Sequence, residues 1–403
     1  MAPSTRIFIT GVGCISAIGK NVPLTIQHLK EGVSGAGPIQ QLKTQHQGKL
    51  PLCEVPHSNA ALAALLPQLP KGGQYTRTTL LALLAAHEAW QQAGAPNLNT
   101  GLTGVFSGNT VGGMDLTEAF YGEFLADHQQ GNIQTLLTHE CGESTQQVAH
   151  YLQATGMVST ISTACSSAAN AIMLGARLLK SGRINRAIVG GVDALTKFTV
   201  NGFNVLQILD HELSQPFDEA RRGLNLGEGA GFLVLETAET ATEDRRLAEL
   251  VGYANSNDAF HQTASSPDGK GAYLAMKGAL DQAQLNPQEI DYINVHGTGT
   301  SNNDLSEGMA MQRLFGEQMP TFSSTKAATG HTLGAAGGIE AVLSVMALKE
   351  QVVYPNLRFK TPIAALEGAL VPITATQEQA IQYILSNSFG FGGNTSSLIF
   401  KAV

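Results

Sequence analysis

Residues 162–171 read STACSSAANA and place one cysteine, Cys165, among small side chains. The stretch follows the β-branched run MVSTIST and precedes SAANAIMLGARLLKSG, whose apolar residues recur with a helical period. We therefore predict a strand, a turn and a helix over residues 159–182, with Cys165 at the first turn of the helix. Unpaired N–H groups and the dipole at such a position favour the thiolate, which is the nucleophilic form of cysteine. A small buried residue without chemistry is the alternative that this stretch alone leaves open.

The composition describes a large chain with few charges. Of its 403 residues, 14% are charged and 43% are apolar, and 44 are glycine, which favours a dry core, many tight turns and a subunit interface. The net charge of −8, without a run of five like charges, argues against nucleic acid as a partner. The longest apolar runs are too short for a bilayer span, and the first residues lack the apolar stretch of a signal peptide. We therefore expect a cytoplasmic protein.

The four cysteines show no spacing that is typical of a metal or redox site. Cys14, Cys53, Cys141 and Cys165 form neither a CxxC nor a CxxxC pair, so the sequence predicts no metal centre. In a reducing compartment they should be free thiols.

Strand-like and helix-like segments alternate along the chain, which predicts a mixed α/β sheet with helices on its faces. The predicted strands of the first half lie near residues 6–13, 103–109, 159–165, 186–193 and 229–236, and its helices near 76–94, 144–155 and 167–182. The first strand ends in Gly11-Val12-Gly13, but the third glycine and the acidic residue of a dinucleotide site are missing. The segments around Cys165 and His331 share one layout, a strand, a polar turn and a helix rich in small residues. This indicates an internal duplication, unless alanine and glycine merely favour helix packing in both places.

Two histidines lie in glycine-rich segments, and each could carry chemistry. His296 follows a short apolar strand in VHGTGTSNND, and His331 lies at a helix start in SSTKAATGHTLGAAGG. The positive end of a helix dipole favours neutral imidazole over imidazolium. Two neutral histidines are suitable hydrogen-bond donors to a developing oxyanion.

Further polar candidates lie close to these histidines. Asp304 and Glu307 follow His296 at helical spacing, and either is a candidate to form a salt bridge with Lys326; an ordinary structural ion pair is the alternative. The glycine-rich turn at 387–394 is able to bring backbone N–H groups close to a substrate. It lacks the Lys-Ser/Thr ending of a phosphate-binding loop.

Taken together, the chain resembles the elongating β-ketoacyl-acyl-carrier-protein synthases, which are condensing enzymes of the thiolase superfamily. The resemblance spans essentially the whole chain, and its motifs occur in the family's order: TGVGCISAIG, STACSSAANAI, PFDEARRGLNLGEGAG, VHGTGTSNND, SSTKAATGHTLGAAGG and NSFGFGGNTSSLIF. It implies a thiolase-like fold of two pseudo-symmetric βαβαβαββ halves in a five-layered α-β-α-β-α sandwich. The first half, residues 1–250, would carry the nucleophile, and the second, residues 251–403, both histidines.

The resemblance also implies residue roles. Cys165 would accept an acyl chain from the phosphopantetheine of an acyl carrier protein, with no bound cofactor of the synthase's own. His296 and His331 would stabilise the enolate that malonyl decarboxylation produces, and Lys326 would support them. Glu307, with Asp304 beside it, would shape the electrostatics of the histidine pair.

The acyl pocket implied by the resemblance involves three further residues. The backbone N–H groups of Cys165 and Phe391 would form the oxyanion hole, and the Phe391 ring would act as a gate. Val111 and Phe203 would line the pocket, and Val111 is smaller than the isoleucine that often occupies its position.

Departures from the family pattern concern the pathway and the partners. GFGGNTSS replaces the usual GFGGTNSS, and Gln207 stands where many fatty-acid enzymes present an arginine to the carrier protein. Arg177, Lys180, Arg183 and Arg186 offer another basic face, unless they are solvated surface charges. The segments ACSSAANA and NGFNVLQ resemble the synthases of aryl-polyene and flexirubin-type pigments more than housekeeping enzymes, whereas a fatty-acid or polyketide pathway stays open.

Rival functions within the fold differ in their catalytic residues. A thiolase would need a second cysteine near the carboxyl terminus, and an initiating synthase an asparagine in place of His331. The remaining alternative is a noncatalytic subunit, either a chain-length factor or a scaffold, although Cys165 is retained. We expect the acyl carrier protein as a partner, and either a homodimer or a heterodimer with a chain-length-factor-like subunit.

Overall fold

The fold is built from strands and helices whose order repeats in the two halves of the chain. A computed structural model describes residues 5–70, 73–96, 101–366 and 370–403. The elements of the first half are β1 (Ile7–Ser16), α1 (Val22–Lys30), α2 (Asn59–Ala64), α3 (Arg77–Gln92), β2 (Thr103–Gly108), α4 (Met114–Ala126), α5 (Gly142–Tyr151), β3 (Val158–Ile161), α6 (Ser167–Lys180), β4 (Arg186–Asp193), α7 (Lys197–Val205) and β5 (Gly229–Thr237). The elements of the second half are β6 (Ala248–Asn257), α8 (Lys270–Ala283), β7 (Tyr292–Asn294), α9 (Ser301–Phe315), β8 (Thr321–Ser323), α10 (Lys326–Thr329), α11 (Ala336–Glu350), β9 (Val352–Val353), β10 (Gln377–Glu378), β11 (Tyr383–Phe389) and β12 (Asn394–Lys401).

Ten strands form one hydrogen-bonded sheet in the order β3-β2-β4-β5-β1-β6-β12-β11-β7-β8. Counted outward from the centre, β1, β5, β4, β2 and β3 correspond to β6, β12, β11, β7 and β8. In each half the outer three strands are parallel to one another, and the inner strands pair antiparallel. The two half-sheets meet where β1 pairs with β6, at Phe8–Glu249 and Ile9–Ala248. The strand order therefore shows two pseudo-symmetric halves.

The helices form three layers around the two half-sheets. The largest apolar cluster combines side chains of α6 and α11 with strands of both halves, so these two helices lie between the half-sheets. Residues 336–348 of α11 are all buried, as expected for a helix enclosed on every side. Helices α3 and α5 cover the outer face of the first half-sheet, and α8 and α9 cover that of the second. The five predicted layers α-β-α-β-α are present.

This arrangement brings several connections together between the half-sheets. The turn from β3 to α6 carries Cys165, the loop after β7 carries His296, and the segment between α10 and α11 carries His331. The turn from β11 to β12 reaches the same cavity with Phe391. None of the helices in the described residues has the length and apolar composition needed to cross a bilayer.

Candidate active site

Cys165 lies in a sharp turn between β3 and α6. The turn requires a left-handed backbone at Ala164, whose φ is +53°, and it is closed by the Ser167 N–H, which donates to the Ala164 carbonyl over 3.1 Å. The Ser167 hydroxyl accepts a hydrogen bond from the Thr163 N–H over 2.8 Å. The predicted strand, turn and helix are confirmed, and Cys165 is buried just before the first turn of α6.

Cys165 and two histidines converge in the interior. The thiol sulfur and one ring nitrogen each of His296 and His331 all lie within 4.8 Å of one another, and all three residues are buried. The imidazole planes are nearly perpendicular, at 88°, with ring centroids 5.4 Å apart. Residues that are 131 and 166 positions apart in sequence thus form one cluster of a thiol and two imidazoles.

The hydrogen bonds of the imidazoles determine which nitrogen carries the proton. Nδ1 of His296 lies 3.2 Å from Nζ of Lys326, and Nδ1 of His331 accepts from the Leu333 N–H over 3.1 Å. Since an ammonium and a backbone N–H are donors only, both Nδ1 atoms must accept, and the proton of each neutral ring lies on Nε2.

Both imidazoles are held in the neutral form. Burial, followed by the charge of Lys326, lowers the pKa of His331 to about 3 and places that of His296 well below its usual range. The two rings therefore offer Nε2–H donors around neutral pH, as the sequence predicted. Burial is the main cause, rather than a helix dipole.

The same three side chains are of the types that zinc prefers, so a metal site must be considered. Coordination through Nε2 would require the proton on Nδ1, where Lys326 and Leu333 already donate. The Lys326 ammonium would also repel a cation. The arrangement fits a pair of hydrogen-bond donors better than a set of metal ligands.

Lys326 forms its ion pair with Glu340 of α11. The predicted salt bridge to Asp304 or Glu307 is therefore wrong. Nζ of Lys326 also donates to the His296 carbonyl over 2.6 Å, so the ammonium is bound to both the backbone and the ring of His296. Sequence reasoning missed Glu340, although a single acid in the buried, apolar part of α11 indicates a required partner.

Asp304 and Glu307 instead fix the loop that carries His296. The Glu307 carboxylate accepts the N–H groups of His296 and Gly297, each over 2.8 Å. Asp304 accepts the N–H of Gly299, three residues after His296, over 3.1 Å, and the Phe217 N–H over 2.8 Å. Burial raises the pKa of Glu307 to about 7, while these N–H groups act in the opposite direction. Both acids are thus placed to orient His296 through its backbone.

The Cys165 thiol is not ionised by its position alone. Burial raises its pKa to about 12, and the charge of Lys326 and the Phe391 N–H offset part of this rise. The expectation that the helix start would favour the thiolate is therefore not met in the unloaded protein, because desolvation outweighs it.

A cavity of about 270 Å³ opens onto the cluster. Its lining combines the three clustered residues with three phenylalanines and several polar side chains: Cys165, Phe203, Gln207, Ile208, Arg222, Leu224, Thr263, Ala264, Ser265, His296, Thr298, Thr300, Ser301, Asn302, Asn303, His331, Phe389, Gly390 and Phe391. The rings of Phe203 and Phe391 are stacked, with centroids 5.8 Å apart. Val111 belongs to a buried apolar cluster that includes Leu333 and against which Phe203 packs.

Two family models together match most of the chain. The N-terminal domain of the β-ketoacyl synthases matches residues 4–241, and their C-terminal domain matches residues 247–360. The chain belongs to the β-ketoacyl synthase family. Its predicted identity as a β-ketoacyl-acyl-carrier-protein synthase, a condensing enzyme with the thiolase-like fold, is thereby confirmed.

Curated relatives and solved structures agree with this assignment. The synthase is 35% identical to 3-oxoacyl-[acyl-carrier-protein] synthase 2 of Staphylococcus aureus (strain COL), over all of this chain and 99% of the relative. It is 34% identical to nodulation protein E of Rhizobium meliloti (strain 1021), over 99% of both chains.

Among solved structures, the ishigamide ketosynthase/chain length factor matches with a TM-score of 0.93 and 29% identity, over 99% of this chain and 100% of the other. A ketosynthase (ApeO) in complex with its chain length factor (ApeC) from Xenorhabdus doucetiae matches with a TM-score of 0.87 and 32% identity, over 100% and 99%. The synthase is an acyltransferase that extends a fatty-acid or polyketide chain by two carbons.

Proposed function

We propose that Cys165 is the acyl-accepting nucleophile of the synthase and that His296 and His331 bind the malonyl thioester. The observation that carries the proposal is the convergence of the thiol with two imidazoles whose Nε2–H groups are free to donate. A nucleophile beside two neutral donors is the combination that acyl transfer followed by enolate formation needs.

In the first step the Cys165 sulfur attacks the carbonyl carbon of an acyl thioester on phosphopantetheine. The new carbon–sulfur bond forms as the bond to the pantetheine sulfur breaks, and the thiol proton goes to that leaving sulfur. The N–H groups of Cys165 and Phe391 hold the tetrahedral oxyanion. The Phe391 N–H lowers the pKa of Cys165 by hydrogen bonding, which supports a role for this donor beside the sulfur.

In the second step the carbonyl oxygen of a malonyl thioester accepts hydrogen bonds from Nε2–H of His296 and His331. Carbon dioxide leaves, and its bonding electrons form an enolate that the two donors stabilise. The enolate carbon attacks the acyl carbonyl on Cys165, and the sulfur leaves as a β-keto thioester two carbons longer forms. Lys326 orients His296, while Asp304 and Glu307 hold its loop.

The substrate class we propose is a conjugated, aryl-primed polyene thioester of the aryl-polyene or flexirubin type. The support is the cysteine context and the small side chain at Val111, which leaves room for a rigid chain. Phe203 lines the cavity and packs against the apolar cluster of Val111, and its ring is stacked on that of Phe391, which supports a gate for the acyl chain at this pair.

The acyl carrier protein would deliver both thioesters on its phosphopantetheine arm, so the synthase needs no bound cofactor of its own. Hydroxyl and amide groups in the cavity lining, such as those of Thr263, Thr298 and Asn302, suit the amides of such an arm. The predicted basic face is weakened by the structure, because Arg186 is buried in an ion pair with Glu236. Arg177 and Lys180 lie over the Tyr253 ring.

A chain-length-factor-like subunit is the dimer partner we propose. Strand β3 forms one edge of the sheet, and α4 has no buried residue in the described structure although it is rich in apolar side chains. Ile133 and Leu137 between α4 and α5 are 69% and 78% exposed. An apolar edge of this kind needs a covering subunit, and two of the similar structures are described as a ketosynthase with a chain length factor.

The division of the synthase into residues 1–250 with the nucleophile and residues 251–403 with both histidines is part of this proposal. The noncatalytic alternative, a chain-length factor or scaffold, is also compatible with the heterodimeric relatives. It would leave the buried cluster of Cys165, His296 and His331 without a purpose, which favours the catalytic function.

The test is mass spectrometry after incubation with an acyl-carrier-protein thioester. We expect one acyl group on Cys165, none in the variant Cys165→Ala, and extension only after malonyl carrier protein is added. An unmodified Cys165 in the presence of the partner subunit would overturn the proposal and favour the noncatalytic alternative. A chain-length series of aliphatic and aryl-polyene thioesters then tests the substrate class.

A further inference from the structure

Asp193, the last residue of β4, is a fully buried carboxylate that the mechanism above does not use. Its oxygens accept four hydrogen bonds: from the Thr110 N–H over 2.9 Å, the Thr110 hydroxyl over 2.6 Å, the Val111 N–H over 2.9 Å and the Gly334 N–H over 2.7 Å. In the described part of the chain no lysine, arginine or histidine forms an ion pair with it. Burying an ionised carboxylate costs free energy, so we expect its four hydrogen bonds to serve a structural or functional role.

Asp193 does not serve to activate the Cys165 nucleophile. The negative charge of Asp193 raises the pKa of Cys165 and therefore opposes the thiolate. Burial raises the pKa of Asp193 itself to about 6, and its hydrogen bonds counter that rise. The carboxylate is thus mostly ionised around neutral pH and acts as an acceptor.

One side of the carboxylate fixes the turn that follows His331. Leu333 has a φ of +53°, in the left-handed region that non-glycine residues avoid. In this conformation the Leu333 N–H donates to Nδ1 of His331, and the next N–H, that of Gly334, donates to Asp193. A Cβ on Gly334 would lie 2.8 Å from Oδ2 of Asp193, so only glycine allows this approach.

The other side of the carboxylate fixes the loop that carries Val111. Thr110 and Val111 begin the loop that leads to α4, and both of their N–H groups end on Oδ1 of Asp193. The side chains of Val111 and Leu333 belong to the same apolar cluster. One carboxylate therefore connects the Val111 loop with the His331 turn.

We propose that Asp193 is a positioning residue that keeps the Leu333 N–H on Nδ1 of His331 and so keeps the His331 proton on Nε2, facing the cavity. Without it, Leu333 would return to an ordinary backbone conformation and its N–H would leave the ring. His331 could then carry its proton on Nδ1 and would lose its donor to the malonyl carbonyl. This inference deepens the proposed function and rests on the role of His331 in it.

The decisive variant is Asp193→Asn, because one amide oxygen cannot accept from both sides. We expect malonyl decarboxylation to fall about 100-fold, the loss typical of one oxyanion donor, while transfer of an acyl group to Cys165 is largely retained. Nitrogen NMR of isotope-labelled histidine, with the His331 signal assigned from His331→Ala, should show the proton moving from Nε2 to Nδ1. Gly334→Ala, whose Cβ would displace the carboxylate, should give the same signature and serves if the first variant folds poorly.

The matched control is Asp218→Asn. Asp218 is a buried carboxylate that also accepts three backbone N–H groups, those of Ala220, Lys360 and Thr361, away from the cavity lining of the described structure. The Asp218→Asn variant should lower thermal stability without moving the His331 proton. If Asp193→Asn keeps the proton on Nε2, or lowers decarboxylation and acyl transfer equally, the positioning role is wrong. Undiminished decarboxylation in His331→Ala would instead overturn the proposed function, and the NMR result would stand independently.

Discussion

The ammonium group of Lys326 and the carboxylate of Glu340 form an ion pair that is almost completely buried, with side-chain exposures of 2% and 3%. One oxygen of Glu340 has no hydrogen-bond partner within the described residues. The Lys326 ammonium also contacts Nδ1 and the carbonyl oxygen of His296, so the geometry of the ion pair determines the position of that ring.

Removing one member of this pair should destabilise the synthase strongly, because the other charge stays buried without compensation. We expect Lys326→Met and Glu340→Leu each to lower the free energy of unfolding by about 3–5 kcal/mol. The double variant should recover most of that loss, since an apolar pair needs no desolvation of charge. Urea denaturation of the four proteins forms the complete cycle. Additive losses in the double variant would show that the two side chains are not coupled.

His331→Ala should separate the two half-reactions. Loss of one Nε2–H donor is expected to slow decarboxylation of malonyl carrier protein about 100-fold or more, whereas acylation of Cys165 needs the N–H groups of Cys165 and Phe391 and should persist. Release of labelled carbon dioxide and mass spectrometry of the acyl enzyme measure the two steps. Unchanged condensation would refute the assignment of His331.

Stability should fall between neutral and mildly acidic pH because His331 is buried in its neutral form. Its pKa is about 3 in the folded chain against 6.5 in the unfolded one, so the unfolded state binds more protons between these values. The stabilisation that comes from the neutral His331 is complete above pH 6.5 and is lost as the pH falls toward 3. By pH 5 the free energy of unfolding should have fallen by about 2 kcal/mol. Unfolding free energies measured from pH 7 to pH 5 should show a shallower slope for His331→Gln. The exposed His128→Gln should keep the original slope, and an equal slope in all three proteins would contradict the prediction.

Val111→Ile should shorten the acyl chains that the synthase accepts. The residue is 4% exposed and packed in the apolar cluster, so one added methylene group must displace its neighbours and would narrow the proposed acyl pocket. We expect unchanged rates with short thioesters and a several-fold lower kcat/KM with the longest or most rigid ones. Val148→Ile, in the outer apolar layer, provides the control for overpacking alone. A uniform loss over all chain lengths would argue against Val111 as a pocket residue.

Regular elements with a clear period could be predicted closely from the sequence. The strand at 186–193 has the predicted bounds, and helix α6 ends two residues before the predicted limit. Helix α4 was missed because it buries none of its residues in the described structure, so it has no core-facing period. Its exposed apolar side chains are accounted for by the proposed partner subunit, about which the sequence of one chain carries no information.

Local sequence patterns predict less of the candidate site than of the fold. No spacing predicts that Cys165, His296 and His331 converge, because each comes from a different connection of the sheet, and the resemblance supplied their association. The predicted partners of Lys326 lie near His296 in sequence, whereas the observed partner, Glu340, belongs to α11. The pKa of Cys165 is higher than the local motif predicts, because burial raises it and a local motif carries no information on burial.

The fixed protonation of the two imidazoles affects the fate of the carbanion after carbon dioxide has left. A neutral imidazole N–H is a very weak acid, so it lowers the energy of the enolate by hydrogen bonding without transferring its proton. An imidazolium in the same place would quench the enolate to an acetyl thioester and waste the malonyl unit. By keeping both rings neutral at neutral pH, the site would direct each decarboxylation toward carbon–carbon bond formation.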